Sequence, residues 1–292
     1  MLHERLEAYA CLTEEALGRY LPETDCAQKR ILKAGRYSLL GGGKRLRPAL
    51  MMEFYRLCGG SPEDILPFAC ALEMIHTYSL IHDDLPCMDD DDLRRGRPTS
   101  HKMFGEAMAV LAGDMLLNRA FELMLNEPCP NVEPGNAFAA AGLIARMSGA
   151  FGMIGGQVLD MELEEKRESA LVEPMIELKT GALFVAACGA GCQLAGANET
   201  LKNASAAYAR AIGLVFQLRD DLLDLEGDAE KLGKATGADA RQHKLTYVSQ
   251  NGAAHTRERI ALETKIALQC AEQFEDHAFL CELAKWLAQR DH

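Results

Sequence analysis

Apolar residues recur three and four positions apart through most of this chain, in stretches rich in Ala, Leu, Met and Glu, and no alternating run of Val, Ile and Thr interrupts them. That period belongs to helices that each bury one face, so the spacing predicts an all-α protein. Turn-forming residues punctuate it: Pro22, the Gly41-Gly42-Gly43 run, Gly59-Gly60-Ser61-Pro62, Pro86, the stretch 128–135, Gly155-Gly156, Gly196 and the Gly-rich segment 227–237. These marks separate roughly ten or more helices. No gap reads as a flexible linker and no shift in composition splits the chain, so residues 1–292 are expected to form a single domain, long enough to bury a substantial core.

Two of the apolar stretches end in acid. His82-Asp83-Asp84 and then Asp89 to Asp92 follow the stretch 68–81, and Arg219-Asp220-Asp221-Leu222-Leu223-Asp224 follows 207–218. Such helix ends, side by side, would form an acidic mouth. Asp220 and Asp224 lie four apart, about 40° around a helix, so both carboxylates face one point. Asp83 and Asp89 would diverge on a continuous helix, but Pro86 disfavours helix at Leu85 and cannot continue the ladder, so the chain should leave the helix and swing Asp89 back. One such pair alone would read as a solvated helix end. Two clusters, each beside an apolar stem, require a compensating cation, because like charges crowded against a core are costly. A donor set made only of oxygen, with positions left for water and phosphate, suits magnesium better than a calcium cage, and neither cluster has calcium-loop spacing.

The cations name the missing ligand. Gly41-Gly42-Gly43-Lys44-Arg45-Leu46-Arg47-Pro48 is a pliable turn carrying three of them, and Arg94-Arg95-Gly96-Arg97-Pro98 follows the first acidic cluster directly. Cations next to a metal-binding mouth point to an anionic substrate held through phosphates. They do not form a nucleic-acid footprint: 43 acidic residues against 31 basic ones leave a net charge of -12. The ten cysteines include no Cys-x-x-Cys pair and so no readable zinc site, and Cys188 and Cys192, on one helical face, are read as packing. Residues 1–20 carry Glu4, Glu7, Glu14 and Glu15, unlike a signal or transit peptide, and no run reaches the ~18 uninterrupted apolar residues of a membrane span. The expected location is the cytoplasm, with thiols reduced.

Four motifs now stand in order: Gly-Gly-Gly-Lys-Arg-Leu-Arg-Pro at 41–48, the stretch from Glu73 through His82-Asp83-Asp84-Leu85-Pro86-Cys87-Met88-Asp89 to Gly96, Lys179-Thr180-Gly181, and Phe216-Gln217-Leu218-Arg219-Asp220-Asp221-Leu222-Leu223-Asp224. In their order and spacing the chain resembles the trans-prenyl diphosphate synthases, most closely the bacterial farnesyl diphosphate synthases, across nearly its whole length. The resemblance implies an all-α bundle around a central cavity, of isoprenoid synthase type, acting as a homodimer with Mg2+, which Mn2+ can replace. It implies that Asp83, Asp84 and Asp89 hold the first metal ions and Asp220, with Asp224, the second set. Arg94, Lys179, Thr180, Gln217, Lys234 and Lys244 would hold the allylic diphosphate, and Lys44, Arg47, His76 and Arg95 the isopentenyl diphosphate. Asp83, Asp84, Asp89, Lys179, Asp220 and Lys234 would form the catalytic set.

His76, two turns before Asp83 on one face, can reach the same cavity. Taken alone it would read as a satisfied core histidine. The implied reaction ionises the allylic diphosphate and joins the cation to the double bond of isopentenyl diphosphate. Tyr78, with Ser79 beside it, lies about 7.5 Å below Asp83 along a helix and would act as a floor that stops growth at farnesyl diphosphate. Geranylgeranyl or geranyl diphosphate synthesis is the alternative. Terpene cyclases share the fold but lack the isopentenyl pocket, and a non-catalytic regulatory subunit should have lost an acidic cluster. One departure stands out: Gln242-His243-Lys244 occupies the place where a Gly often precedes that Lys, which bears on loop closure.

Overall fold

The computed structural model describes residues 1–166, 168–226 and 245–290, the side chains of Glu164 and Glu226 excepted. Lys234, Lys244 and the Gln242-His243-Lys244 departure lie outside these described residues. Within them the expectation of an all-α fold holds, with eleven helices of eleven residues or more. In chain order the helices are α1 (Leu2–Tyr20), α2 (Lys29–Leu39), α3 (Leu46–Leu57), α4 (Leu66–Asp83), α5 (Ser100–Phe104), α6 (Glu106–Asn126), α7 (Pro134–Ser148), α8 (Met153–Lys166), α9 (Val172–Ile176), α10 (Ala182–Leu194), α11 (Glu199–Glu226), α12 (Tyr247–Ala271) and α13 (Ala278–Gln289). The described strands are a two-residue antiparallel hairpin, β1 (Leu93–Arg94) and β2 (Arg97–Pro98).

α4 is the axis of the bundle. Its residues are mostly apolar, and Phe68, Leu72, Ile75 and Ile81 are all buried, with Glu73 buried only because Arg45 pairs with it. It packs most extensively on α6 and also on α1 and α3. α10, rich in Ala, Gly and Cys, is the second buried helix and lies against α3, α7 and α11. Gly191 permits the approach to α3, because a Cβ there would run into the Met51 carbonyl and the Phe54 side chain.

Most of the expected punctuation falls between helices, with one correction. Gly155-Gly156 does not end a helix but sits inside α8, and the break comes earlier, at the turn over residues 149–152. The physical reason is close approach: a Cβ on Gly156 would overlap the backbone of Leu178 and Lys179. By length and composition Pro134–Leu163 and Ser169–Leu194 could each cross a membrane. The first is two helices joined by that turn, and the second is interrupted by irregular helix and 61% buried within the bundle.

Candidate active site

α4 ends at Asp83, and the chain then behaves as Pro86 dictates. Asp84 N–H still reaches the Leu80 carbonyl, but after Pro86 the Asp89 N–H returns to the Asp83 carbonyl at 2.9 Å. The two residues that a straight helix would separate are thereby tied together. Asp83 is half-buried and faces a cavity of about 600 Å³. Burial pushes its carboxyl above the ordinary value, the Lys179 ammonium opposes that shift, and Asp89 and Asp160 reinforce it. Asp84, one residue on, is 3% exposed and faces elsewhere. It accepts from Arg94 Nε at 2.6 Å and lines a small recess with Arg94, Arg95 and Thr99. Burial raises its carboxyl too, against the pull of Arg94.

The second cluster keeps its helical spacing. Asp220 and Asp224 are half-buried on α11, whereas Asp221 is buried and used for structure: it accepts from Gln217 Nε2 at 3.0 Å and from the Tyr247 N–H at 3.2 Å. Gln217 in turn accepts from the Thr180 hydroxyl at 2.9 Å. Asp220 pairs with Arg290 at 2.5 Å, and the Arg290 guanidinium also covers the Phe216 ring at 4.0 Å. α4 and α11 are not packed side by side as the acidic-mouth reading supposed. α10 packs extensively on α11 and touches α4, linking the two helices.

Against α8 and α11 lies a π-helical turn, Glu177–Gly181, between α9 and α10. A wide turn of this kind carries one residue more than the α ladder accommodates. It sends Lys179 toward α8, where Nζ meets Asp160 at 2.6 Å, and Thr180 toward Gln217 on α11. Asp160 was not foreseen among the site residues. The available signal was Gln157 and Asp160 three apart on α8, one turn of helix, and Gln157 lines the cavity.

The four residues expected to hold isopentenyl diphosphate come together. Lys44, Arg47, His76 and Arg95 line one pocket of about 630 Å³, which shares Arg47, His76 and Phe216 with the apolar cavity. The guanidinium of Arg47 stands 4.9 Å over the Phe184 ring, its Nε is buried without a partner, and burial pushes its pKa down to about 10. Arg47 Nη1 approaches His76 Nε2 at 3.4 Å. A guanidinium only donates, so Nε2 accepts and the proton sits on Nδ1. Burial, then Arg47 and Arg95, hold this imidazole well below its ordinary value, so it is neutral at physiological pH.

Arg45 differs from its neighbours. Its side chain is buried, bound to Glu14 and Glu73 at 2.5 Å each and to the Leu39 carbonyl at 2.6 Å, with a left-handed backbone at φ 46°. The middle cation of the motif thus anchors the turn from which Lys44 and Arg47 project. Tyr78 is 5% exposed below Asp83, lines the apolar cavity with Ser79, and has a buried hydroxyl without a partner. Burial, then Asp83, push that hydroxyl up to about 12.

Among the described residues no three His, Cys, Asp or Glu side chains converge on one point. An ion at this mouth therefore needs oxygen ligands from water or substrate, and the nearby donors are carboxylates, which is the donor chemistry of a hard divalent cation.

The chain is 42% identical over 281 residues, covering 96% of it and 94% of the relative, to a farnesyl diphosphate synthase of Geobacillus stearothermophilus. It is 43% identical to a chloroplastic geranylgeranyl pyrophosphate synthase of Capsicum annuum, over 90% of the chain and 72% of the relative. Among solved structures, an FPP/GFPP synthase from Zymomonas mobilis superposes with a TM-score of 0.87 at 37% identity, over 98% of both chains. Residues 28–283 match the polyprenyl synthetase family model, so the chain belongs to the polyprenyl synthetase family.

Proposed function

We propose that this protein is a farnesyl diphosphate synthase, joining isopentenyl diphosphate to dimethylallyl diphosphate and then to geranyl diphosphate. One observation carries the reading: a cation-lined pocket and an apolar cavity adjoin through Arg47, His76 and Phe216, with Asp83 at the rim of the second. Lys44, Arg47 and Arg95 hold the diphosphate of the isopentenyl unit, while neutral His76 lines the passage without adding charge. Lys179 and Thr180 donate to the allylic diphosphate from the π turn. Asp83 with Asp89, and Asp220 with Asp224, supply oxygen ligands for magnesium, which when bound neutralises the departing diphosphate. The apolar walls keep water from the allylic cation, and no protein nucleophile is needed; the released diphosphate takes the proton.

Family likeness does not decide product length, since relatives named for farnesyl and for geranylgeranyl products stand at 42% and 43% identity. Tyr78 supports the fifteen-carbon reading, because its buried ring lines the cavity beneath Asp83. The exposed apolar side chains Leu111, Phe138, Phe151 and Ile154 on or beside α6, α7 and α8 favour a homodimer, and ten free thiols favour the reducing cytoplasm.

Purified protein given magnesium, labelled isopentenyl diphosphate and dimethylallyl diphosphate should release fifteen-carbon product. Failure to extend any allylic starter would overturn the proposal. Tyr78→Ala should yield twenty-carbon or longer chains; a variant that still stops at fifteen carbons at undiminished rate would show that Tyr78 is not the floor.

A further inference from the structure

Tyr78 does not stand alone. His82 follows it by four residues on α4, so the two side chains stack along one face, and their rings meet edge to face with centroids 5.7 Å apart. Both line the apolar cavity. On its other side the His82 ring lies on α6, with Nε2 at 3.1 Å from the Val110 carbonyl. A carbonyl only accepts, so Nε2 carries a proton and the ring is fastened to the helix. It fits there because residue 113 is glycine: a Cβ at Gly113 would overlap three atoms of the imidazole, Nε2 among them. Gly113 is buried in the interior of α6 and its backbone is not left-handed, so clearance for this ring is the role the geometry gives it.

We infer that Gly113 and His82 are specificity-determining residues: the slot over Gly113 seats the His82 ring, and the seated ring braces Tyr78 as the floor of the cavity. The inference rests on the prenyl-transfer reading of that cavity. A methyl group at position 113 closes the slot. The Val110 carbonyl and the α6 backbone block retreat on one side, and the adjoining open volume is the cavity itself. An evicted imidazole therefore narrows the passage just below Asp83, where the growing chain must pass. Removing the ring has the opposite effect, because Tyr78 loses its brace and the cavity gains volume.

The test is a cycle of Gly113→Ala, His82→Ala and the double variant, with product chain length measured for each at saturating substrates and helicity checked by circular dichroism. Gly113→Ala should shift release toward the ten-carbon product by at least about threefold. His82→Ala should shift it toward twenty carbons, and the double variant should lose the ten-carbon shift, because no ring remains to be evicted. A merely structural role would alter stability and leave chain length unmoved. The inference fails if Gly113→Ala keeps the wild-type product distribution, or if the double variant keeps the ten-carbon shift of the single one. Should Gly113→Ala not fold, His82→Ala alone decides, and unchanged fifteen-carbon product from it overturns the brace. Wild-type protein that makes no prenyl product at all would instead sink the functional reading beneath the inference.

Discussion

The two walls of the site handle charge in opposite ways. On the cation-lined side, Arg47 and Arg95 have no carboxylate within 4 Å among the described residues. Arg47 stacks on Phe184 and Arg95 donates to the Gly42 carbonyl. On the acidic side, charges of both signs are matched within the protein: Asp84 with Arg94, Asp160 with Lys179, Asp220 with Arg290. The first wall is prepared for an anion before one arrives, at the cost of crowded cations. The second would have to exchange partners to hold the proposed metal ion, because Asp220 cannot serve a cation and Arg290 fully at once. Binding at one wall fills a prepared site, and binding at the other rearranges one.

The largest effect should come from the wall that rearranges. With Asp83 and Asp220 as the proposed metal ligands, Asp83→Ala or Asp220→Ala should each lower turnover by at least about 100-fold while helicity by circular dichroism stays unchanged. Near-normal turnover in either variant would mean that the paired carboxylates are structural and the contrast false. Next comes the prepared wall. On the proposed assignment Arg47→Ala removes a charge-assisted phosphate contact worth roughly 1.5–3 kcal/mol, so KM for isopentenyl diphosphate should rise about 10- to 100-fold with little change for the allylic substrate. Equal change in both constants would place Arg47 between the walls.

The smallest effect concerns pH. His76 titrates well below 6.5 in the folded protein, so below about pH 6.5 the unfolded chain takes up a proton that the native state refuses. Stability should therefore decline as pH falls from 6.5 toward the native pKa, by up to about 1.4 kcal/mol per pH unit for this one group. Urea unfolding of wild type and His76→Gln across pH 5 to 7 measures it. Parallel profiles would show that the cation-rich pocket leaves His76 unperturbed.

What the sequence disclosed was local. Pro86 foretold the loop that returns Asp89 to Asp83, four-residue spacing foretold that Asp220 and Asp224 share a helix face, and the ordered motifs foretold which cations gather around His76. What it concealed depended on contacts distant along the chain. Arg45 looks like a third pocket cation until Glu14 and Glu73 bury it. Gly155-Gly156 looks like a break until the Lys179 backbone passes against Gly156. The separation of Asp83 from Asp84 needed Arg94, ten residues on, to hold the second carboxylate elsewhere.

The π turn at Glu177–Gly181 carries a last consequence, for the lengths this chain can tolerate. Deleting one residue between 172 and 182 would let the turn relax into ordinary α-helix, because the bulge exists only to absorb a surplus residue. The repaired helix would be more regular and its local propensity no worse. The flanking helices would keep their phase, since the bulge absorbs its surplus locally, but the side chains within the turn would be re-aimed by up to about 100°. Lys179 and Thr180 could not then both keep their partners on α8 and α11. An insertion would add a second surplus residue and displace the same two side chains. This segment is therefore a counted stretch of sequence, open to substitution at its exposed positions and closed to a change of length in either direction.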